Sequence, residues 1–202
     1  GEWNYLTNEE GLKQFWRDGF KRNHEYRNLV TLGMRGNGDM AMEGTGSLQK
    51  NIELMEQIIA DQREIIEDVT GKPASETPQV WALYKEVLKY YKNGMEVPDD
   101  VIILFADDNW GDVRYLPDPD KPKHPGGYGM YYHVDYHGAP RSYEWLNMNQ
   151  LPHMWEQLQL TYDYGVKKVW ILNVGDIKPM EYPMTFFLDM AWNPDSFNAH
   201  NL

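Results

Sequence analysis

The chain has 202 residues, 42% of them hydrophobic and 25% charged, and 19 basic against 31 acidic residues leave a net charge of −12. That balance argues against general binding to nucleic acid or to an anionic membrane, where basic patches supply most of the affinity. With no cysteine, thiol catalysis, thiolate metal sites and disulfides are all excluded.

No apolar run is long enough to span a bilayer. No secretory hydrophobic region opens the chain, which a processed or trimmed N-terminus would also explain. A small anionic substrate stays open, because one or two arginines decide that locally. The 8 Trp and 14 Tyr fit packed cores, and some of them fit flat platforms for sugar rings.

Thr7-Asn-Glu-Glu10 has the capping-box pattern, so a helix is expected with Thr7 as its N-cap, running to about Tyr26. Its apolar face would hold Leu12, Phe15, Trp16 and Phe20. A short β-rich run over 28–34 is broken by Arg35-Gly-Asn-Gly-Asp39. A long helix is expected over 48–69, with Ile52, Met55, Ile58, Ile59, Ile65 and Ile66 in helical period and Gly71 and Pro73 as its stop. A strand over 78–84 and a helix over 86–92 follow, the helix closed by Gly94. Residues 101–106 form the clearest strand, and another covers 126–134 after a loop rich in Pro, Gly and Asp. A helix over 149–164, a strand over 169–173 and a helix over 183–192 complete the pattern.

Strands and helices alternate through short connections, and the strands are nearly continuous in apolar residues. This pattern predicts an α/β fold with a parallel sheet covered by helices. Neither a repeat nor a linker marks a second domain. Five strands are countable, whereas a closed (β/α)₈ barrel has eight. The chain is therefore an open doubly wound sheet or an incomplete TIM-type (β/α) barrel of about five βα units.

In parallel folds the site lies beyond the carboxyl ends of the strands. Arg35 and Asp39 follow the first strand, Tyr84 and Glu86 the second, and Asp107, Asp108, Asn109 and Trp110 the third. His133, Asp135 and Tyr136 follow the fourth, and Asn173 and Asp176 the fifth. Alternation places Thr31-Gly33-Arg35, Val80-Ala82-Tyr84-Glu86, Phe105-Asp107-Asn109, Tyr131-His133-Asp135 and Val169-Ile171-Asn173 each on one face. Asp and Asn in such places often only cap a helix or close an Asx turn. Arg35, Tyr84, Glu86 and His133 are not turn residues by preference, and five strands ending alike point to a site.

No P-loop, no dinucleotide-binding glycine fingerprint and no G-x-S-x-G elbow is present. Carboxylates, amides, tyrosines and an arginine suit acetal hydrolysis, which needs one carboxylic acid and one carboxylate. Glu86, Asp39 and Asp107 are the available pairings. Glu86 should enter a partly apolar pocket beside Tyr84, which would suit a general acid. A rival reading takes His133, Asp135 and His137 as metal ligands, with Asp107 able to join them. Another takes the chain as a non-catalytic carbohydrate-binding fragment.

Five blocks carry a resemblance: Thr31-Leu-Gly-Met-Arg-Gly-Asn-Gly-Asp39, Tyr84-Lys-Glu-Val-Leu88, Asp107-Asp-Asn-Trp-Gly111, Tyr131-Tyr-His-Val-Asp-Tyr136 and Asn173-Val-Gly-Asp-Ile-Lys-Pro179. Together, in order and over essentially the whole chain, they resemble glycoside hydrolase family 115, the α-glucuronidases. The resemblance implies removal of α-1,2-linked glucuronic acid, or its 4-O-methyl ether, from xylan or related glycans, with inversion and no cofactor. It implies that residues 1–202 are part of a catalytic barrel domain in a longer multidomain protein, secreted or periplasmic. It makes Glu86 and Asp39 the leading catalytic carboxylates, with Asp107 beside them or a further carboxylate upstream. It assigns Arg35 to the uronate carboxylate, and Tyr84, Asn109, His133, Tyr136 and Asn173 to the sugar. Which carboxylate is acid and which is base stays open.

Overall fold

The computed structural model describes residues 2–42 and 44–201. Among these residues five helices and five strands alternate except that no helix separates β3 from β4: α1 (Tyr5–Asn23), β1 (Val30–Leu32), α2 (Leu48–Thr70), β2 (Gln79–Ala82), α3 (Glu86–Lys92), β3 (Ile102–Ala106), β4 (Tyr128–His133), α4 (Leu151–Asp163), β5 (Val169–Asn173) and α5 (Glu181–Trp192). Short 3-10 turns at Asn37–Asp39, Ala74–Glu76 and Pro194–Ser196 sit between or after them. The strands form one parallel sheet in chain order, β1-β2-β3-β4-β5. Chain order removes the shuffled doubly wound alternative. Register is set by Thr31 opposite Val80 in one pair and His133 opposite Asn173 in another. The chain divides into two compact units, Gly1–Ile103 and Leu104–Leu202.

In the first unit α2 carries the core. All six residues of its predicted stripe, from Ile52 to Ile66, are buried. Each such burial is worth about 1.5–3 kcal/mol relative to exposure. The Ser47 side chain accepts from the Lys50 amide at the start, and Gly71 in the left-handed region ends the helix.

The first helix differs from its forecast. Its cap is Asn4, whose side chain accepts from the Leu6 amide at 2.9 Å, and Asn8 interrupts the helical backbone (φ −144°, ψ 42°). The Thr7 hydroxyl donates to Glu2 instead of capping. Leu12 is buried, but Phe15 is 62% exposed, so the expected apolar face is only partly covered.

β1 also stops early, at Leu32, because the next residue leaves the ladder. Gly33 has φ 94°, and a Cβ there would come within 2.7 Å of Trp81 Nε1. Both of its backbone groups are taken by one buried side chain: Gly33 N donates to Gln62 Oε1 (2.8 Å), and Gln62 Nε2 donates to Gly33 O (3.1 Å). A polar residue on the buried stripe of α2 thereby replaces a strand partner.

In the second unit, Met130, Tyr132 and Val134 are buried, as are Met154 and Leu158 of α4 and Phe187 and Met190 of α5. Tyr131 and His133 alternate with them.

Candidate functional site

The first unit brings together Arg35, Asp39, Tyr84, Lys85 and Glu86. Arg35 donates through Nε to Glu86 Oε1 (2.9 Å) and through Nη2 to Glu86 Oε2 (2.8 Å), a two-pronged pair. Its Nη1 donates to the Asp39 carbonyl at 2.8 Å and to the Asp39 carboxylate. Lys85 Nζ donates to the other Asp39 oxygen at 2.8 Å. The Tyr84 ring lies near both cations, 5.4 Å from Arg35 Cζ and 4.9 Å from Lys85 Nζ. Trp3 Nε1 fixes the backbone by donating to Arg35 O at 2.9 Å.

Strained backbone serves this cluster. Asp39 (φ 59°) and Lys85 (φ 49°) both occupy the left-handed region that side chains avoid. Because Lys85 turns the chain this way, Tyr84 and Glu86 reach one place without the simple strand alternation expected of them.

Electrostatics follows from contacts. Burial by itself would raise the Asp39 pKa, but the Lys85 hydrogen bond and the Arg35 charge outweigh it and hold this carboxyl below its usual value. The Glu86 hydrogen bonds are the largest influence raising the Arg35 pKa. Glu86 therefore meets a guanidinium fork rather than the partly apolar pocket forecast for it.

The second unit holds a different constellation. Asp107 is buried, with its side chain fully covered. One oxygen lies 2.5 Å from His133 Nδ1, and the other accepts from the His133 amide at 3.1 Å. Burial is the largest influence on Asp107 and raises its pKa, against the lowering pull of His133. The imidazole sits between the Tyr131 ring (5.0 Å) and the Tyr136 ring (4.6 Å). Asn173 Nδ2 donates to the Tyr131 hydroxyl at 3.2 Å. Asn109 spends its amide hydrogens on the carbonyls of Ala139 (3.3 Å) and Arg141 (2.8 Å), so it ties down the loop after β4. Asp108 is a turn residue, accepting from the Trp110 and Asp112 amides.

The three residues of the metal reading diverge. His133 pairs with Asp107, Asp135 accepts from the Trp145 amide at 3.3 Å, and exposed His137 lies 2.5 Å from Glu144 Oε1. Among the described residues no group of three or more His, Cys, Asp and Glu is placed to hold a metal ion.

Sequence reasoning missed Lys85, Trp3 and Tyr143. Lys85 meets Asp39 across 46 residues, and Trp3 meets Arg35 across 32, so no local pattern announces either. Tyr143 reaches Tyr136 through an isolated antiparallel bridge, with their rings 6.0 Å apart.

No curated protein matches the chain. A solved structure, of the family GH115 4-O-methyl-α-glucuronidase BtGH115A with specificity for decorated arabinogalactans, superposes with a TM-score of 0.92 at 40% identity. The match covers 97% of this chain and 26% of that one, so the chain spans about a quarter of the enzyme's length. The family model for glycosyl hydrolase family 115 matches residues 1–202, and the chain belongs to that family.

Proposed function

We propose that the chain is part of the catalytic (β/α) barrel domain of a glycoside hydrolase that releases α-1,2-linked glucuronic acid, or its 4-O-methyl ether, from xylan or a related glycan. The observation that carries this reading is the pair of carboxylates, Glu86 and Asp39, bound to one guanidinium beside Tyr84. Inverting hydrolysis needs two carboxyl groups flanking the bond, far enough apart to admit a water. Glu86 occupies Nε and Nη2 of Arg35 and Asp39 occupies Nη1, so the guanidinium holds the two carboxylates apart at fixed positions.

Asp39 takes the role of base, since Lys85 and Arg35 keep it in the ionised form a base needs. Glu86 is left as the proton donor, and substrate must then loosen its bond to Arg35 before it can carry a proton. A uronate carboxylate does this if it competes for the same fork, which joins substrate capture to release of the acid. Asp107 acts through His133, which it orients, rather than as a carboxylate facing sugar. Tyr84, His133 and Tyr136 offer rings, and Asn109 and Asn173 polar edges, for sugar contacts within their own units.

The test uses the full-length protein and two glycans, glucuronoxylan and a glucuronate-decorated arabinogalactan. NMR of the first turnovers reports both the released sugar and its anomer. Release of the β-anomer from either glycan supports an inverting α-glucuronidase. Release of the α-anomer would remove inversion, and no release from either would remove the function.

A further inference from the structure

A cleft of about 320 Å³ opens in the second unit, lined by Trp110, Asp112, Tyr132, Arg141, Tyr143 and His153 among others. Tyr132 points opposite to Tyr131 and His133 along β4, so this cleft lies on the other face of the strand from the Asp107–His133 pair. Its size falls at the small end of ligand pockets, about 300–1,000 Å³, room for a single sugar ring.

The walls are held before any ligand arrives. Asp108 accepts from the Trp110 amide at 2.9 Å, and the Tyr132 hydroxyl donates to Gly111 O at 3.1 Å. Gly111 has φ 74°, and a Cβ there would meet the Tyr132 hydroxyl at 2.8 Å, so only glycine lets the loop close on that ring. His153 Nε2 lies 3.2 Å from Asp112 Oδ1. Trp110 nevertheless keeps 47% of its surface exposed.

Among the described residues Arg141 is the half-buried arginine that meets no carboxylate; Arg22 and Arg27, which also lack one, lie exposed on the surface. Arg17, Arg35, Arg63 and Arg114 each meet a carboxylate. Half-buried Arg141 forms no ion pair among the described residues, and its guanidinium rests 5.6 Å from the Tyr143 ring centroid. In a chain of net charge −12, an arginine left without a carboxylate beside an exposed indole is a receptor for a flat, anionic ligand. The fork suits a carboxylate and the indole suits the apolar face of a pyranose.

We infer that this cleft is a second carbohydrate site, taking a uronate residue with its carboxylate on Arg141 and its ring against Trp110. The choice of a uronate rests on the function proposed above, whereas the indole and the unpaired guanidinium do not depend on it. The site would hold a neighbouring branch of the glycan while another is cleaved.

Calorimetric titration of the full-length protein with sodium glucuronate tests this, with glucose as the uncharged control. Arg141→Gln and Trp110→Ala should each abolish one glucuronate site or weaken it at least about tenfold, roughly 1.4 kcal/mol. Turnover of the shortest glucuronate-bearing oligosaccharide should stay within about twofold. Unchanged glucuronate binding in both variants would overturn the inference, and so would an equal loss for glucose and glucuronate in Arg141→Gln. Crystals of the unaltered protein soaked in glucuronate give a readout free of folding effects: sugar on Trp110 supports the site, and an empty cleft at saturation refutes it. Loss of the Arg141-dependent site with normal glycan hydrolysis isolates the second site, while glucuronate binding without any hydrolysis would count against the proposed function alone.

Discussion

Two aspartates of this chain are treated in opposite ways. In residues 1–103, Asp39 sits on a strained turn, largely exposed, with Lys85 and Arg35 holding its carboxyl below the usual range. In residues 104–202, Asp107 is buried against an imidazole, and burial raises its pKa. The first arrangement keeps a carboxylate charged near the surface. The second uses a carboxylate to fix a histidine. Residue type alone does not distinguish these roles; the partners and the solvent do.

The contrast is sharpest in stability. Asp107→Ala removes the oxygens that face the His133 amide and its ring Nδ1 in a buried place, and leaving buried polar groups unsatisfied costs about 1–3 kcal/mol each. Urea unfolding of the variant should show this, and Asp107→Asn, which keeps the shape and an acceptor, should lose much less. A small loss in Asp107→Ala would mean that burial does not govern the second region.

Arg35→Ala comes next. Arg35 bonds to both carboxylates, so the account predicts a drop in kcat of at least about tenfold together with a higher KM. An effect confined to KM would make Arg35 a substrate-binding residue and leave the two carboxylates independent of it.

Lys85→Ala should act more gently, and its sign is fixed. On the proposed reading Asp39 is the ionised base, so activity falls as pH drops through its pKa. Removing Lys85 takes away a lowering influence, raises that pKa and moves the acid limb of the kcat profile to higher pH. An unmoved limb would exclude Asp39 as the titrating base. Smallest of all is His137→Ala. Its pair with Glu144 is on the surface, so thermal unfolding should change by less than about 1 kcal/mol and turnover not at all.

Much of the fold was legible because strong local signals agreed. The stripe of α2, its glycine stop, and the apolar runs of β3 and β5 left little competition. The capping box at Thr7 misled because Asn4, Asn8 and Thr7 all compete for the same helix start, and the spacing favours one while the backbone uses another. The site was legible in its residues more than in its geometry. Alternation holds inside β3 and β4, where Asp107 and His133 do meet. It does not extend through Gly33 or Lys85, whose positive φ breaks the pleat, yet Arg35 and Glu86 still converge through a bidentate pair that periodicity does not reveal. Long-range partners such as Lys85 with Asp39 depend on the folded loop and leave no mark in spacing.

The central claim is that the carboxylates bound to Arg35 perform the chemistry. Glu86→Gln in the full-length protein keeps the shape of the side chain and removes the ionisable group. Turnover on glucuronoxylan oligosaccharides, measured beside the melting temperature, should fall at least about 100-fold at temperatures where the variant stays folded. Near-normal turnover at an unchanged melting temperature would contradict the claim and leave Glu86 as a structural partner of Arg35.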